Sequence, residues 1–260
     1  MNLYTSINEN SSSSLVINFP HSGLFIPSWI KNQFKKIPPP ILTNSDWFVD
    51  RLFTPLFSIN VTALKANYSR YVVDLNRSPM FPFVGHWKEF PVYKNTTWDR
   101  PLYDKDPTPE QGFIRLDLYF HPYHQKLEKL IQKKLQSFPK VILLDIHSFG
   151  GNSVNEDICL GNRDHTTSSE AVLGTLTHCL KNQDLSVAQN DTYKGRYIIE
   201  EYGSSKGPVE AIQIEINYKA YLTRKIEEDE VSPEDTLNPP FRETRKKLKS
   251  AFQNFLAYIK

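Results

Sequence analysis

Two of the seven histidines in this 260-residue chain stand where an apolar run stops. His21 follows Leu15 to Phe19 in Phe19-Pro20-His21-Ser22-Gly23, and His147 follows Val141 to Leu144 in Asp145-Ile146-His147-Ser148. Buried strands of an α/β sheet read as such runs, and these folds carry their chemistry just past the carboxyl ends of strands. A neutral imidazole placed there is a metal ligand, and a catalytic zinc takes three N/O donors and keeps one open position. Asp46, beside the capping residue Ser45, is the candidate acidic third donor to a single ion. The plainer reading is an acid favoured by the dipole at a helix start. Asp50, one helical turn on, is either a rival ligand or a supporting partner. Asp145 shares a strand face with His147 and can accept the second imidazole N–H.

Further along, Ala211-Ile212-Gln213-Ile214-Glu215-Ile216-Asn217 alternates isoleucine with polar residues. Either Gln213, Glu215 and Asn217 form the solvated face of an edge strand, or Glu215 is a buried carboxylate kept for use as a general base. Arg70 and Arg77 bracket Tyr71-Val72-Val73-Asp74-Leu75-Asn76, and a guanidinium is the natural fork for a substrate carboxylate. On a strand the two would face opposite ways, so a turn near Asn76 and Pro79 is needed to bring them together. Pairing of one or both with Asp74 is the structural alternative. His121, His124 and Glu128 offer a competing metal triad, although one packed and one solvent-facing histidine fits that amphipathic segment better. Lys194-Gly195 could close a loop over a ligand. No Walker loop, GxGxxG or GxSxG is present.

The elements that must position these groups alternate strand and helix. Strands are expected at Leu15–Phe19, Val61–Lys65, Arg70–Leu75, Val141–Ile146, Ile158–Gly161, Tyr197–Glu200 and Ala211–Asn217. Helices are expected at Pro27–Phe34 (closed by Pro38-Pro39-Pro40), Asp46–Leu56 (capped by Asn44 or Ser45), Phe113–Gln136, Ser168–Lys181 (capped by Ser168 or Ser169) and Pro240–Ile259. Ser78 to Thr108 is a long excursion rich in proline and aromatics, which reads as an ordered covering loop. Together these predict one α/β domain over residues 1–260, a mixed, mostly parallel sheet flanked by helices, with a polar N-terminal segment at 1–14.

Composition narrows the partners. Thirty-one Lys and Arg against 29 Asp and Glu leave a formal charge of +2, too balanced for a nucleic-acid or anionic-membrane surface. The polar start, with Ser11 to Ser14, has neither the basic nor the apolar part of a secretory signal, and no stretch approaches the roughly eighteen apolar residues of a membrane helix. Cys159 and Cys179 form no CxxC pattern and read as two reduced thiols in a cytoplasmic protein. A small-molecule partner and a monomer or small homo-oligomer are expected.

Read together, these motifs resemble the N-formylglutamate amidohydrolase (N-formylglutamate deformylase) family. The likeness runs through Phe19-Pro20-His21-Ser22-Gly23, Ser45-Asp46-Trp47-Phe48-Val49-Asp50-Arg51-Leu52 and Tyr68-Ser69-Arg70-Tyr71-Val72-Val73-Asp74-Leu75-Asn76-Arg77. It continues through Pro101-Leu102-Tyr103, Asp145-Ile146-His147-Ser148, Leu160-Gly161, Tyr193-Lys194-Gly195 and Gln213-Ile214-Glu215-Ile216. The resemblance implies a zinc carboxypeptidase-like (phosphorylase/hydrolase-like) fold with one Zn2+ on His21, Asp46 and His147. It also implies Glu215 as the base, and Arg70, Arg77, Asn76, Lys194 and Gly195 around a carboxylate substrate, with Asp50 and Asp145 in support. The implied activity is removal of a formyl or small acyl group from an N-acylated acidic amino acid such as N-formyl-L-glutamate. Rival readings are another N-acyl amino acid, a peptide or cell-wall amide, or a non-catalytic anion-binding module. Deformylases of histidine breakdown carry an Arg shortly after the His-Ser pair, where this chain has Phe149-Gly150-Gly151-Asn152.

Overall fold

The computed structural model describes residues 2–35, 45–150, 155–223 and 233–259. The expected Pro38-Pro39-Pro40 stop, the Asn44 cap and Gly151-Asn152 lie outside them. Nine strands are seen in the described residues: β1 Tyr4–Ile7, β2 Leu15–Phe19, β3 Thr62–Ala66, β4 Val84–Gly85, β5 Val92–Tyr93, β6 Val141–Phe149, β7 Ile158–Gly161, β8 Val187–Gln189 and β9 Val209–Asn217. Seven of these make one sheet in the order β1-β3-β2-β6-β9-β7-β8, and β4 and β5 form a separate pair. The sheet is mixed: β3, β2, β6 and β9 run parallel, β1 is antiparallel to β3, and β7 is antiparallel to β9.

The helices are α1 Ser28–Lys31, α2 Val49–Leu52, α3 Thr54–Phe57, α4 Pro109–Arg115, α5 His121–Leu135, α6 Glu170–Lys181, α7 Tyr197–Tyr202, α8 Tyr218–Tyr221 and α9 Pro239–Tyr258. They cover both faces of the sheet. On one face, Leu15, Ile17, Ile142, Leu144, Ile212 and Ile214 pack with residues of α6 and α9. On the other, Val16, Val141, Leu143, Val209 and Ala211 pack with residues of α5 and α7. Burying each such side chain contributes roughly 1.5–3 kcal/mol.

That second face changes character along β6 and β9. Its residues are apolar in the first half of each strand, then become Asp145 and His147 on β6 and Gln213, Glu215 and Asn217 on β9, all of them buried. The solvated-edge alternative for β9 therefore does not hold, because β9 lies between β6 and β7.

Several expected elements differ. Arg70–Leu75 is a turn-rich loop and not a strand, because Asp74 turns inward to a polar network that a ladder would not permit. Tyr197–Glu200 belongs to helix α7, where the adjacent Ile198 and Ile199 can both face the sheet. The single helix expected at 46–56 is two short ones, separated at Phe53 with Pro55 in the first turn of the second. Asp46 precedes α2 by three positions, with Phe48 in the left-handed region (φ 54°) between them, so the helix-dipole reading of Asp46 fails. The long helix starts with a Thr108–Gln111 capping box and contains a π-helical turn at Leu116–Phe120 between α4 and α5. Ser169 caps α6 as expected.

Candidate active site

Four segments bring the site together. His21 lies two residues past the end of β2, and His147 lies within β6, which runs on to Phe149 beyond the end predicted at Ile146. Asp46 is fixed from both sides. Its Oδ1 accepts from the Ser148 N–H at 3.1 Å and from the Ser148 hydroxyl at 3.2 Å. The tyrosines of α8 hold its neighbours, with Tyr218 donating to the Ser45 carbonyl at 2.8 Å and Tyr221 to that of Trp47 at 3.0 Å.

Asp46 Oδ2 is the meeting point. His147 Nδ1 lies 3.0 Å from it and His21 Nδ1 3.5 Å from it. One donor atom from each of His21, Asp46 and His147 falls within 4.8 Å of the others, and all three side chains are buried. The far side of each imidazole is held by a second buried carboxylate. His147 Nε2 is 2.8 Å from Asp145 Oδ2, and His21 Nε2 is 2.7 Å from Asp74 Oδ1. Such partners keep the proton on the outer nitrogen and leave the inner one free to ligate. His21 Nδ1 is buried and has no hydrogen-bond partner. An orphaned ring nitrogen facing a carboxylate and a second imidazole is what a divalent cation would satisfy, so the donor set fits one ion such as zinc.

The electrostatics follow from this packing. Burial alone would raise Asp46, but the His147 and His21 imidazoles beside it hold it well below the usual carboxylate range. Burial also opposes ionisation of Asp74, where His21, Arg70 and Arg77 outweigh it and keep the group charged. For His147 burial disfavours the cation, yet Asp145 and Asp46 hold the imidazole well above its ordinary value. Glu215 goes the other way, pushed up to about 7 by burial against the pull of His147. It accepts from Gln213 Nε2 at 2.8 Å, and a carboxylate poised near neutrality suits proton transfer.

A cavity of about 550 Å³ opens over this cluster, lined among others by Arg70, Arg77, Trp87, Lys194, Arg196 and Glu215. Arg70 Nη2 donates to Asp74 Oδ2 at 2.9 Å, and Arg77 Nη1 lies 3.7 Å from the same oxygen. Both arginines thus reach the cavity while anchored to Asp74, which joins the substrate-binding and structural readings of the pair. Arg77 also donates to the Trp87 carbonyl at 3.1 Å, tying down the aromatic excursion that forms one cavity wall.

Other predicted groups are placed differently. The Asn76 amide is engaged within the protein, donating to Asp145 Oδ2 at 3.3 Å and Gln213 Oε1 at 3.2 Å and accepting from Ile198 N–H at 2.8 Å. Asp50 turns away and pairs with Lys65 at 3.0 Å, so it neither ligates nor supports the cluster. The Lys194 ammonium points to Asp164 at 2.9 Å, outside the cluster. Gly195 has φ 105°, a conformation suited to glycine, and a Cβ there would lie 2.1 Å from Ile199. His124 is buried against the Leu75 carbonyl and Tyr202, burial pushes it down to about 4, and His121 is exposed, so that pair makes no metal triad. Sequence reasoning did not assign Asp74 as the partner of His21, nor Arg196 to the cavity. The bracketing of Asp74 by two arginines was the available signal for the first.

The parallel strand ends, the buried donor set and the adjacent carboxylate are those of an α/β amide hydrolase. The family model described as N-formylglutamate amidohydrolase matches residues 13–222, and the chain belongs to that family. It is 27% identical over 218 residues to N-formylglutamate deformylase of Pseudomonas aeruginosa, covering 80% of this chain and 82% of the relative. The corresponding protein of Pseudomonas putida is 23% identical over 266 residues, covering 94% and 92%. Among solved structures, N-formylglutamate amidohydrolase from Ralstonia eutropha JMP134 superposes with a TM-score of 0.84 at 25% identity, covering 100% of this chain and 98% of that one. A gene product of Agrobacterium tumefaciens shares the fold at a TM-score of 0.74 and 16% identity, covering 100% and 96%. No helix among the described residues is long and apolar enough to cross a membrane.

Proposed function

We propose that this chain hydrolyses N-formyl-L-glutamate to formate and glutamate with one zinc ion held by His21 Nδ1, Asp46 and His147 Nδ1. The observation that carries the reading is the pair of imidazoles presenting Nδ1 to one carboxylate oxygen, each clamped behind by a buried aspartate, with Glu215 on the next strand. The names of the Pseudomonas and Ralstonia relatives supply the substrate class.

Zinc bound there would supply Lewis acidity, which lowers the pKa of water from about 15.7 toward roughly 7 and polarises the formyl oxygen. The residues of the chain do the rest. Glu215 takes a proton from the attacking water as oxygen adds to the formyl carbon, and passes it to the amide nitrogen as the C–N bond breaks. Asp145 and Asp74 keep the two imidazoles in one tautomer throughout. Arg70 and Arg77, held by Asp74, bind the carboxylate beside the scissile amide. The wall that includes Trp87 limits access of bulk water.

We further infer a single catalytic unit, monomeric or in a small homo-oligomer, acting in the cytoplasm on a product of histidine breakdown. The two cysteines support that compartment, since both are buried and unbridged. The deciding experiment is formate release by zinc-replete protein from N-formylglutamate, against N-acetylglutamate, other N-acyl amino acids, a dipeptide and a muropeptide. A higher kcat/KM on any of the others would replace the substrate, and no turnover with no zinc bound would leave only the anion-binding module.

A further inference from the structure

We propose that Arg196 is the specificity residue of this site, pairing with the side-chain carboxylate of the substrate. The inference rests on the deformylase reading above and adds the group that would distinguish an acidic amino acid from a neutral one.

Among the described residues five cationic side chains line the cavity, and four are already committed. Arg70 and Arg77 are drawn to Asp74, Arg163 donates to Glu200 at 2.9 Å, and Lys194 donates to Asp164 at 2.9 Å. Among the described residues no carboxylate pairs with the Arg196 guanidinium. Burial and the neighbouring Arg77 guanidinium together push Arg196 below its ordinary range. Two guanidiniums that oppose one another across a shared cavity are relieved when an anion enters.

The backbone around Arg196 is tied to the site by hydrogen bonds. Its N–H donates to Gln213 Oε1 at 3.0 Å, and the same Gln213 donates to Glu215 at 2.8 Å. Just behind it, Lys194 O accepts from Arg163 N–H at 2.8 Å, and just ahead Ile198 N–H is bonded to Asn76. A single glutamine therefore sets the spacing between Arg196 and the proposed base. Arg77 is tied through Asp74 to His21, and the proposal gives it the α-carboxylate beside the scissile amide. Arg196, on the segment between β8 and α7, is left for the carboxylate at the end of the side chain. The Lys194 side chain expected in this role is turned outward to Asp164.

The test compares zinc-replete wild type with Arg196→Met and Arg196→Lys on N-formylglutamate, N-formylglutamine and N-formylnorleucine. Arg196→Met is expected to lose roughly 10- to 100-fold in kcat/KM on N-formylglutamate and less than about 3-fold on the two neutral substrates, with Arg196→Lys intermediate. An equal loss on all three substrates, or no loss on N-formylglutamate, overturns the proposal. Calorimetric binding of glutarate, a dicarboxylate that cannot react, separates this from failure of the deformylase reading. If wild type turns over none of the three, glutarate binding weakened at least 10-fold by Arg196→Met still supports Arg196 as the anchor. Equal or undetectable binding in both proteins removes it.

Discussion

His147 and Glu215 are direct neighbours across parallel strands, Cα partners in the β6–β9 ladder, with Asp145 opposite Gln213 two residues earlier. Proposed ligand and proposed base therefore project from the same sheet face at the spacing of adjacent strands, about 4.8 Å. Their relative position is set by backbone hydrogen bonds rather than by loops.

That placement separates metal binding from proton transfer. Glu215→Gln is expected to bind zinc as wild type does and to lose at least roughly 10²–10⁴-fold in kcat. Metal content by mass spectrometry and formate release check the two halves, and near-normal turnover would remove Glu215 from the mechanism.

Because Asp74 holds His21 from behind, Asp74→Asn is expected to weaken zinc affinity about 10–100-fold. Asp50→Asn breaks only the contact with Lys65 and should leave the affinity unchanged. Zinc titration against a competing chelator measures both, and the reverse order of effects would mean that the acidic support had been misassigned.

Activity should rise with pH along an acid limb. Burial brings Glu215 to about 7 without a cation, and a divalent ion beside it favours the charged form, so the limb falls at or below pH 7. The base acts deprotonated, so kcat/KM drops tenfold per pH unit beneath the limb. A kcat/KM that did not fall at any pH below 7 while the metal stays bound would contradict the assignment.

Zinc removal should abolish turnover and lower stability, with full recovery on adding zinc back. At free zinc a hundredfold above Kd the holo form gains about 2.7 kcal/mol, read as a shift in the denaturation midpoint. Zinc must displace the proton that Asp145 and Asp46 hold on His147, so affinity should be weaker at pH 6 than at pH 8. Equal midpoints with and without the metal would argue that no ion occupies the cluster.

The loop bearing Arg196 depends on a close approach. A Cβ on Gly161 would lie 2.5 Å from the Lys194 carbonyl carbon, a backbone atom that cannot swing aside. Gly161→Ala is expected to raise KM for an acidic substrate while zinc content stays unchanged. An unaltered KM would show that the loop accommodates the methyl group.

Much of this was legible in the chain. The runs before His21 and His147 are apolar because β2 and β6 are covered on both faces, and the change to polar residues marks where the second face leaves the core. The alternation in β9 pointed to Glu215, although only the sheet order shows that the polar face is buried. The segment 70–75 reads as a strand because Tyr71-Val72-Val73 has strand propensity. Its conformation is decided instead by Asp74, whose partner His21 is 53 positions away. Asp46 was legible as a candidate ligand, but the reading as an ordinary helix acid stayed open because its partner Ser148 lies 102 positions on. Arg196 carried no local signal at all, since its role comes from the pairing of its four cationic neighbours elsewhere.

Asn76 gives this arrangement a mechanical consequence. One small amide, with its own N–H on Asp74, couples the arginine loop, strands β6 and β9 and the start of α7. Substrate preference in such a frame can be retuned by exchanging side chains at the cavity rim, whereas shifting the loop as a whole would drag the strand that carries His147 with it.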